Sequence, residues 1–399
     1  MIFEIKKPDD WHLHLRDGKM LENVVFPSAF AFCRVGVMPN LSIPIKTVEQ
    51  ALIYRNQIKD ALQKNLANKK QVLDEPSYCL VEKSVKSFSP CMLLFLSDDM
   101  TKKEVEKAAS TEEILGVKLY PQNATTNAKS GVKDISALYP IIEWMQEKSL
   151  PLLIHGESGD SQIDVFDREN VFIDRELDPL LKRFPNLKVT LEHISTKYAV
   201  DYVREKSTSH DLAATITVHH LLIDRNDLLS DGIRPHYYCK PIVKRSKDKE
   251  ALIAAAISAS SCFFLGTDSA PHPKNAKESC CGAAGVFSAP NALPLLVSLF
   301  EKRGTLDDKS LENFCSVNGA KHYGFPVTQE TIALKPVEPA EPVENNFQGD
   351  NSQENNSASR SNSASRSKKD FYKNSFFESF SSVEVFSAFP GRIWEIIAR

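Results

Sequence analysis

The stretch Trp11-His12-Leu13-His14-Leu15-Arg16-Asp17 concentrates groups able to do chemistry. Side chains of an extended chain alternate, so His12, His14 and Arg16 share one face. Two imidazoles on one face make half of a metal site. A guanidinium one step further along can grip a carboxylate with two parallel hydrogen bonds. Four more such groups recur down the chain: Lys118 in Gly-Val-Lys-Leu-Tyr-Pro, His155 in Leu-Ile-His-Gly-Glu, His193 in Leu-Glu-His-Ile, and Asp268 in Leu-Gly-Thr-Asp-Ser-Ala-Pro-His. Each sits at the end of a short apolar run. Packing alone does not account for four histidines, a lysine and an aspartate placed this way. The pattern predicts a metal centre built from His12, His14, Lys118, His155, His193 and Asp268.

The runs that carry these residues alternate with amphipathic stretches. Strand-like runs fall at 33–38, 92–96, 116–120, 152–155, 188–192, 213–218 and 262–266, and Ile2, Phe3 and Ile5 mark a first strand that His12 and His14 would end. Helical patterns fall between them at 47–66, 102–109, 135–148, 175–184, 197–206, 248–260 and 292–303. Strand–helix alternation repeated about eight times predicts an α/β fold, the (β/α)8 TIM barrel, whose chemistry gathers at the C-terminal ends of the strands. A doubly wound open sheet is the alternative, but no G-x-G-x-x-G follows the first strand. Residues 1–335 are assigned to the barrel. Residues 336–370 are rich in Pro, Glu, Asn and Ser and are read as a disordered insert. Residues 371–399 turn aromatic again and are expected to pack back on the barrel.

The 399 residues are 42% hydrophobic with a net charge of −3, an ordinary globular balance that argues against nucleic acid as a partner. No apolar run is long enough to span a membrane. The charged start MIFEIKKPDD lacks the core of a secretion signal. Eight scattered cysteines without a C-x-x-C pair fit reduced thiols. The expected location is the cytoplasm.

HLHLRD, MPN, VKLYP, NATTN, HGE, EHIS, GTDSAPH and the CGAAG–APNAL stretch together resemble the single-function bacterial and fungal dihydroorotases of the amidohydrolase superfamily, over residues 1 to about 330. The resemblance implies two Zn2+ ions bridged by a carboxylated lysine, N6-carboxylysine, at Lys118, formed with CO2. One zinc would be held by His12, His14, Lys118 and Asp268, the other by Lys118, His155 and His193. The implied reaction is reversible cyclisation of N-carbamoyl-L-aspartate to L-dihydroorotate, a step of pyrimidine biosynthesis, with Asp268 as the proton-transferring group. Arg16, Asn40 and His272 match the family's residues for the unreactive substrate carboxylate. Leu221 and Ala284 match positions that hold the ring through backbone groups, and Thr125 and Thr126 match a loop that closes over substrate. A homodimer is implied. His219, His220 and His236 match no ligand, although one could orient a ligand, and Lys240 is read as local structure. Two other readings remain: a hydantoinase- or allantoinase-like hydrolase, against which Arg16 and Asn40 discriminate, and a non-catalytic barrel scaffold, which would have lost ligands.

Overall fold

The computed structural model describes residues 2–125, 128, 131–230, 232–258, 260–306, 309–336 and 394–397. Eight parallel strands follow one another around a sheet in sequence order: β2 (Asp10–Leu13), β3 (Arg34–Val37), β4 (Ser89–Phe95), β5 (Ile114–Leu119), β6 (Leu152–His155), β7 (Val189–Glu192), β8 (Leu212–Ile216) and β9 (Phe263–Leu265). Parallel strands are buried on both faces, which is why Met92–Phe95 and Phe263–Leu265 read as unbroken apolar runs. Helices connect successive strands and cover the outside, among them Val48–Val72 and Lys197–Lys206, and Ala292–Lys302 follows the last barrel strand. Threonines start two of them: Thr47 caps the first in a reciprocal box with Gln50, and Thr196 accepts from the Ala199 N–H of the second. This is a (β/α)8 barrel.

The barrel is closed by hydrogen bonds rather than by a long ladder. Asp268 N–H donates to the His12 carbonyl at 2.8 Å, and His14 N–H donates to the Ser269 carbonyl at 2.9 Å. Beneath them the buried Asp10 carboxylate accepts from the Thr267 N–H and hydroxyl at 2.8 and 2.5 Å. Closure therefore places Asp268 beside His12 and His14.

The first strand expected from sequence is misplaced. Ile2, Phe3 and Ile5 belong to no barrel strand. β1 (Phe3–Lys6) pairs antiparallel with β10 (Thr331–Pro336), which also pairs antiparallel with β11 (Trp394–Ile397) in a separate three-stranded sheet. The first barrel strand is Asp10–Leu13, so His12 lies within it and His14 just beyond. A second difference is the helix Gly18–Ala31, absent from the sequence expectation. Val24 to Ala31 are all buried, so it shows no apolar stripe for periodicity to detect. Pro336, the first residue of the expected insert, instead ends β10, and 337–370 of that insert with 371–393 and 398–399 of the expected C-terminal segment lie outside the described residues.

Candidate metal and substrate site

At the C-terminal mouth of the barrel the donor atoms converge. His14 Nε2 lies 3.0 Å and His12 Nε2 3.3 Å from the same oxygen, Asp268 Oδ1. Ligand atoms of these three residues lie within 4.8 Å of one another. Next to them His155 Nδ1 and His193 Nε2 approach to 3.0 Å, and the His12 and His193 rings are 4.9 Å apart. Lys118, on β5, is fully buried between these groups. Its Nζ makes no hydrogen bond, and neither do His12 Nδ1 and His193 Nδ1, although all three atoms are buried.

Burial sets the protonation states. It drives the Lys118 amine well below its ordinary pKa, against the pull of Asp268. It takes His12 down to about 3, helped by the Lys118 charge, and lowers His14, His155 and His193. Burial pushes Asp268 the other way, but hydrogen bonds from His12 and His14 win and hold its carboxyl well below the usual range. Neutral imidazoles, an ionised carboxylate and a neutral amine are the forms that ligate metals. This donor set, with its orphaned nitrogens, fits the binuclear group implied by the sequence.

The backbone is bent to present the groups. Arg16, His193 and Asp268 have positive φ of 58°, 42° and 45°, a conformation costly for residues with a Cβ and typical of functional sites. Thr215 Oγ1 takes the His193 N–H at 2.6 Å.

The pocket above is lined by His12, His14, Arg16, Asn40, Tyr120, Thr125, His155, His193, Lys240, Asp268, Ala270, Ala284 and Gly285. Arg16 donates through Nε to the Pro271 carbonyl at 3.1 Å and lies 3.1 Å through Nη2 from His272 Nε2. His272 Nε2 also reaches the Ala284 carbonyl at 2.9 Å. Gly285 keeps this loop close: at φ +148° a Cβ there would meet the Ala270 carbonyl oxygen at 2.5 Å. Leu221 is not in the pocket wall; it is buried in the helix Val218–Leu222, its N–H bonded to Thr217. Thr126 lies outside the described residues.

Sequence reasoning missed several residues here. Glu192, the last residue of β7, turns Oε2 toward both His12 Nδ1 and Lys118 Nζ, the latter 3.3 Å away. Glu157 meets His155 Nε2 at 3.1 Å. Tyr120 lines the pocket, as does Lys240, read from sequence as local structure. The period-2 rule held the signal for Glu192, since alternation places one residue in two on the inner face of a barrel strand. A second cluster, His219, His220 and Cys239, also brings potential ligand atoms within 4.8 Å. Both His220 nitrogens are engaged, by Thr217 Oγ1 at 2.8 Å and the Pro241 carbonyl at 3.0 Å. His219 and His220 both feel the Asp268 charge, and His236 pairs with Glu278 at 2.9 Å.

Comparison with known proteins fits this geometry. The model of the amidohydrolase family matches residues 9–334. The dihydroorotase of Nitrosococcus oceani is 48% identical over 331 residues, covering 83% of this chain and 89% of that one. The chain belongs to the dihydroorotase family. Among solved structures the family's Campylobacter jejuni enzyme superposes with a TM-score of 0.71 at 38% identity, covering 84% of this chain and 89% of the other. The Saccharomyces cerevisiae dihydroorotase, solved in complex with 5-fluoroorotic acid, gives 0.70 at 33% identity, with the same coverage. The L-hydantoinase of Arthrobacter aurescens, at 16% identity and a TM-score of 0.66, shares the fold alone.

Proposed function

We propose that this protein interconverts N-carbamoyl-L-aspartate and L-dihydroorotate, using two zinc ions. His12, His14 and Asp268 would hold one ion, His155 and His193 the other, and Lys118 both. Lys118 suits the bridge because burial lowers its pKa and so favours the neutral amine. A neutral amine adds to CO2, forming an N–C bond as one C=O π bond opens and losing one proton, and the resulting carbamate would offer oxygen ligands to the metal site. When bound, the two ions supply Lewis acidity toward the ring carbonyl and bring the pKa of water near neutrality.

The chain's own groups do the rest. Ionised Asp268 begins as a base: it accepts a proton from the attacking water and delivers it to the ring nitrogen as the C–N bond breaks. Arg16 takes the unreactive carboxylate, with His272 and Asn40 beside it. Ala284 would hold the ring by its backbone, with Leu221 the second position matched by sequence. Thr125 in the wall, with Thr126 next to it in sequence, would help exclude water. Closure joins a carboxylate to a ureido nitrogen and consumes one proton overall, so low pH favours the ring.

One observation carries this reading over a hydantoinase-like one. The Arg16–His272–Ala284 chain of contacts stands beside the Asp268 cluster, where a substrate with a second carboxylate needs it. The test is an assay of the purified protein, with metal analysis, on carbamoyl-aspartate, dihydroorotate and hydantoin. Interconversion of the first two, with about two zinc ions per subunit, is expected. Faster opening of hydantoin would overturn the reading. A role in pyrimidine synthesis, a cytoplasmic location and a homodimer accompany the proposal. Among the described residues no helix is long and apolar enough to cross a membrane.

A further inference from the structure

Glu192 is a fully buried carboxylate with neither oxygen hydrogen-bonded. Leaving a buried carboxyl group without a hydrogen bond is costly, and native proteins seldom do it without a use. Its surroundings name the use. Oε2 faces His12 Nδ1, the ring nitrogen turned away from Asp268, and lies 3.3 Å from Lys118 Nζ. The residue reaches from β7 across the barrel interior to β2 and β5, so a single side chain touches two separate candidate ligands.

We propose that Glu192 is a positioning residue that holds two metal ligands at once: the His12 ring and the carboxylated form of Lys118. This inference rests on the carbamate reading given above. The physical basis is a count of hydrogens. A His12 ring that offers Nε2 to a metal must carry its proton on Nδ1, and Glu192 accepts that proton's hydrogen bond, fixing both tautomer and ring orientation. A lysine carbamate, R–NH–COO−, keeps one hydrogen on Nζ. Its oxygens are committed to the ions, so that N–H must point elsewhere, and Glu192 Oε2 is the acceptor it faces. Glu192 thus pins the nitrogen end of the carbamate while the metals pin the oxygen end. Without it the N–H is buried and unpaired, which favours loss of CO2 and return to the amine. The backbone at Glu192 is also continuous with His193, so the same short segment positions ligands of both ions.

The experiment compares wild type, Glu192→Gln and Glu192→Leu. Each is equilibrated with 13C-bicarbonate and zinc, and three things are read: the carbamate 13C signal, zinc affinity by chelator competition, and thermal stability. Wild type should show the carbamate. In Glu192→Leu zinc affinity should fall by about ten- to a hundredfold, and far more bicarbonate should be needed for the same signal. Glu192→Gln keeps volume and one acceptor oxygen, so it should fall between the two, with activity restored by excess bicarbonate and zinc. If Glu192→Leu does not fold, Glu192→Gln decides alone. A purely structural role would lower thermal stability and leave bicarbonate dependence at the wild-type value; that result, or wild-type zinc affinity in a folded variant, overturns the proposal. Absence of the carbamate signal from wild type would instead sink the underlying bridge, and this inference with it.

Discussion

The two ends of the barrel bury charge in opposite ways. At the floor, where the strands begin, Asp9 accepts from Arg34 at three atoms: the backbone N–H at 3.1 Å, Nε at 2.9 Å and Nη2 at 2.6 Å. Arg34 Nη1 goes on to the Pro326 carbonyl at 2.9 Å, and its guanidinium lies 5.5 Å from the centre of the Trp11 ring. Lys7, also buried, donates to the carbonyls of Ala29 and Ser84 and to Ser87 Oγ. At the mouth, equally buried nitrogens of His12, Lys118 and His193 have no hydrogen bond, and three residues sit at positive φ. Burial is the same at both ends; satisfaction differs. A buried polar group with every bond made holds the fold, and one with bonds left open marks a candidate binding site.

Lys118→Ala tests that contrast with the largest effect. Removing a shared ligand should abolish nearly all activity and most metal binding, while stability of the metal-free protein holds or rises. A small carboxylate such as acetate, added with zinc, should restore part of the activity by entering the space left, and chloride at equal ionic strength should not. Lys118→Arg should remain inactive, because a guanidinium stays charged and takes up no CO2. A fully active Lys118→Arg enzyme would break the carbamate bridge.

Arg34→Ala should do the reverse. It leaves Asp9 buried and unpaired, for an expected loss of about 3–5 kcal/mol in denaturant unfolding, with kcat per folded molecule unchanged. A variant of wild-type stability would erase the distinction between the two ends.

Arg16→Ala should cost about 1.5–3 kcal/mol in kcat/KM, roughly a ten- to hundredfold drop, chiefly through KM for dihydroorotate, with zinc content unchanged. Unaltered kinetics would remove Arg16 from the carboxylate site.

His219 gives the gentlest test. It is buried near the mouth with both ring nitrogens unpartnered, and burial takes its pKa from 6.5 to about 4. Between those values the unfolded chain binds the proton and the folded one refuses it. Its contribution is therefore present above pH 6.5 and is lost as pH falls toward 4. The slope is about 1.4 kcal/mol per pH unit. Urea unfolding of His219→Gln should show a flatter decline between pH 6.5 and 5 than wild type; equal slopes would mean His219 is paired like the floor residues.

Much of this was legible in the sequence because a parallel barrel writes its strands as apolar runs and its chemistry at their ends. His155, His193, Lys118 and Asp268 announced themselves that way. The first barrel strand did not. Asp-Trp-His-Leu has polar residues at the two positions that close the barrel and reach the site, so its pattern is weaker than that of Phe3–Lys6, which pairs elsewhere. Helix Gly18–Ala31 was hidden because its second half, from Val24 to Ala31, is buried throughout. Glu192 was hidden by its neighbour: beside a histidine at a strand end, it passed as part of a motif. Lys240 belongs to the pocket only through folding of the segment after β8, which no local pattern encodes.

The small sheet carries a consequence of its own. Pro336 of β10 and Trp394 of β11 are register partners, so the chain leaves this sheet and returns to it at the same place. The two ends of the intervening sequence are thereby held side by side. The entropy of closing such a loop grows only with the logarithm of its length, about 0.6 kcal/mol for each doubling. The barrel is therefore nearly indifferent to how much sequence passes through that point. A reporter domain spliced there should leave metal loading and melting temperature where they were, because the splice is anchored at β10 and β11 and not at any strand that carries a candidate ligand.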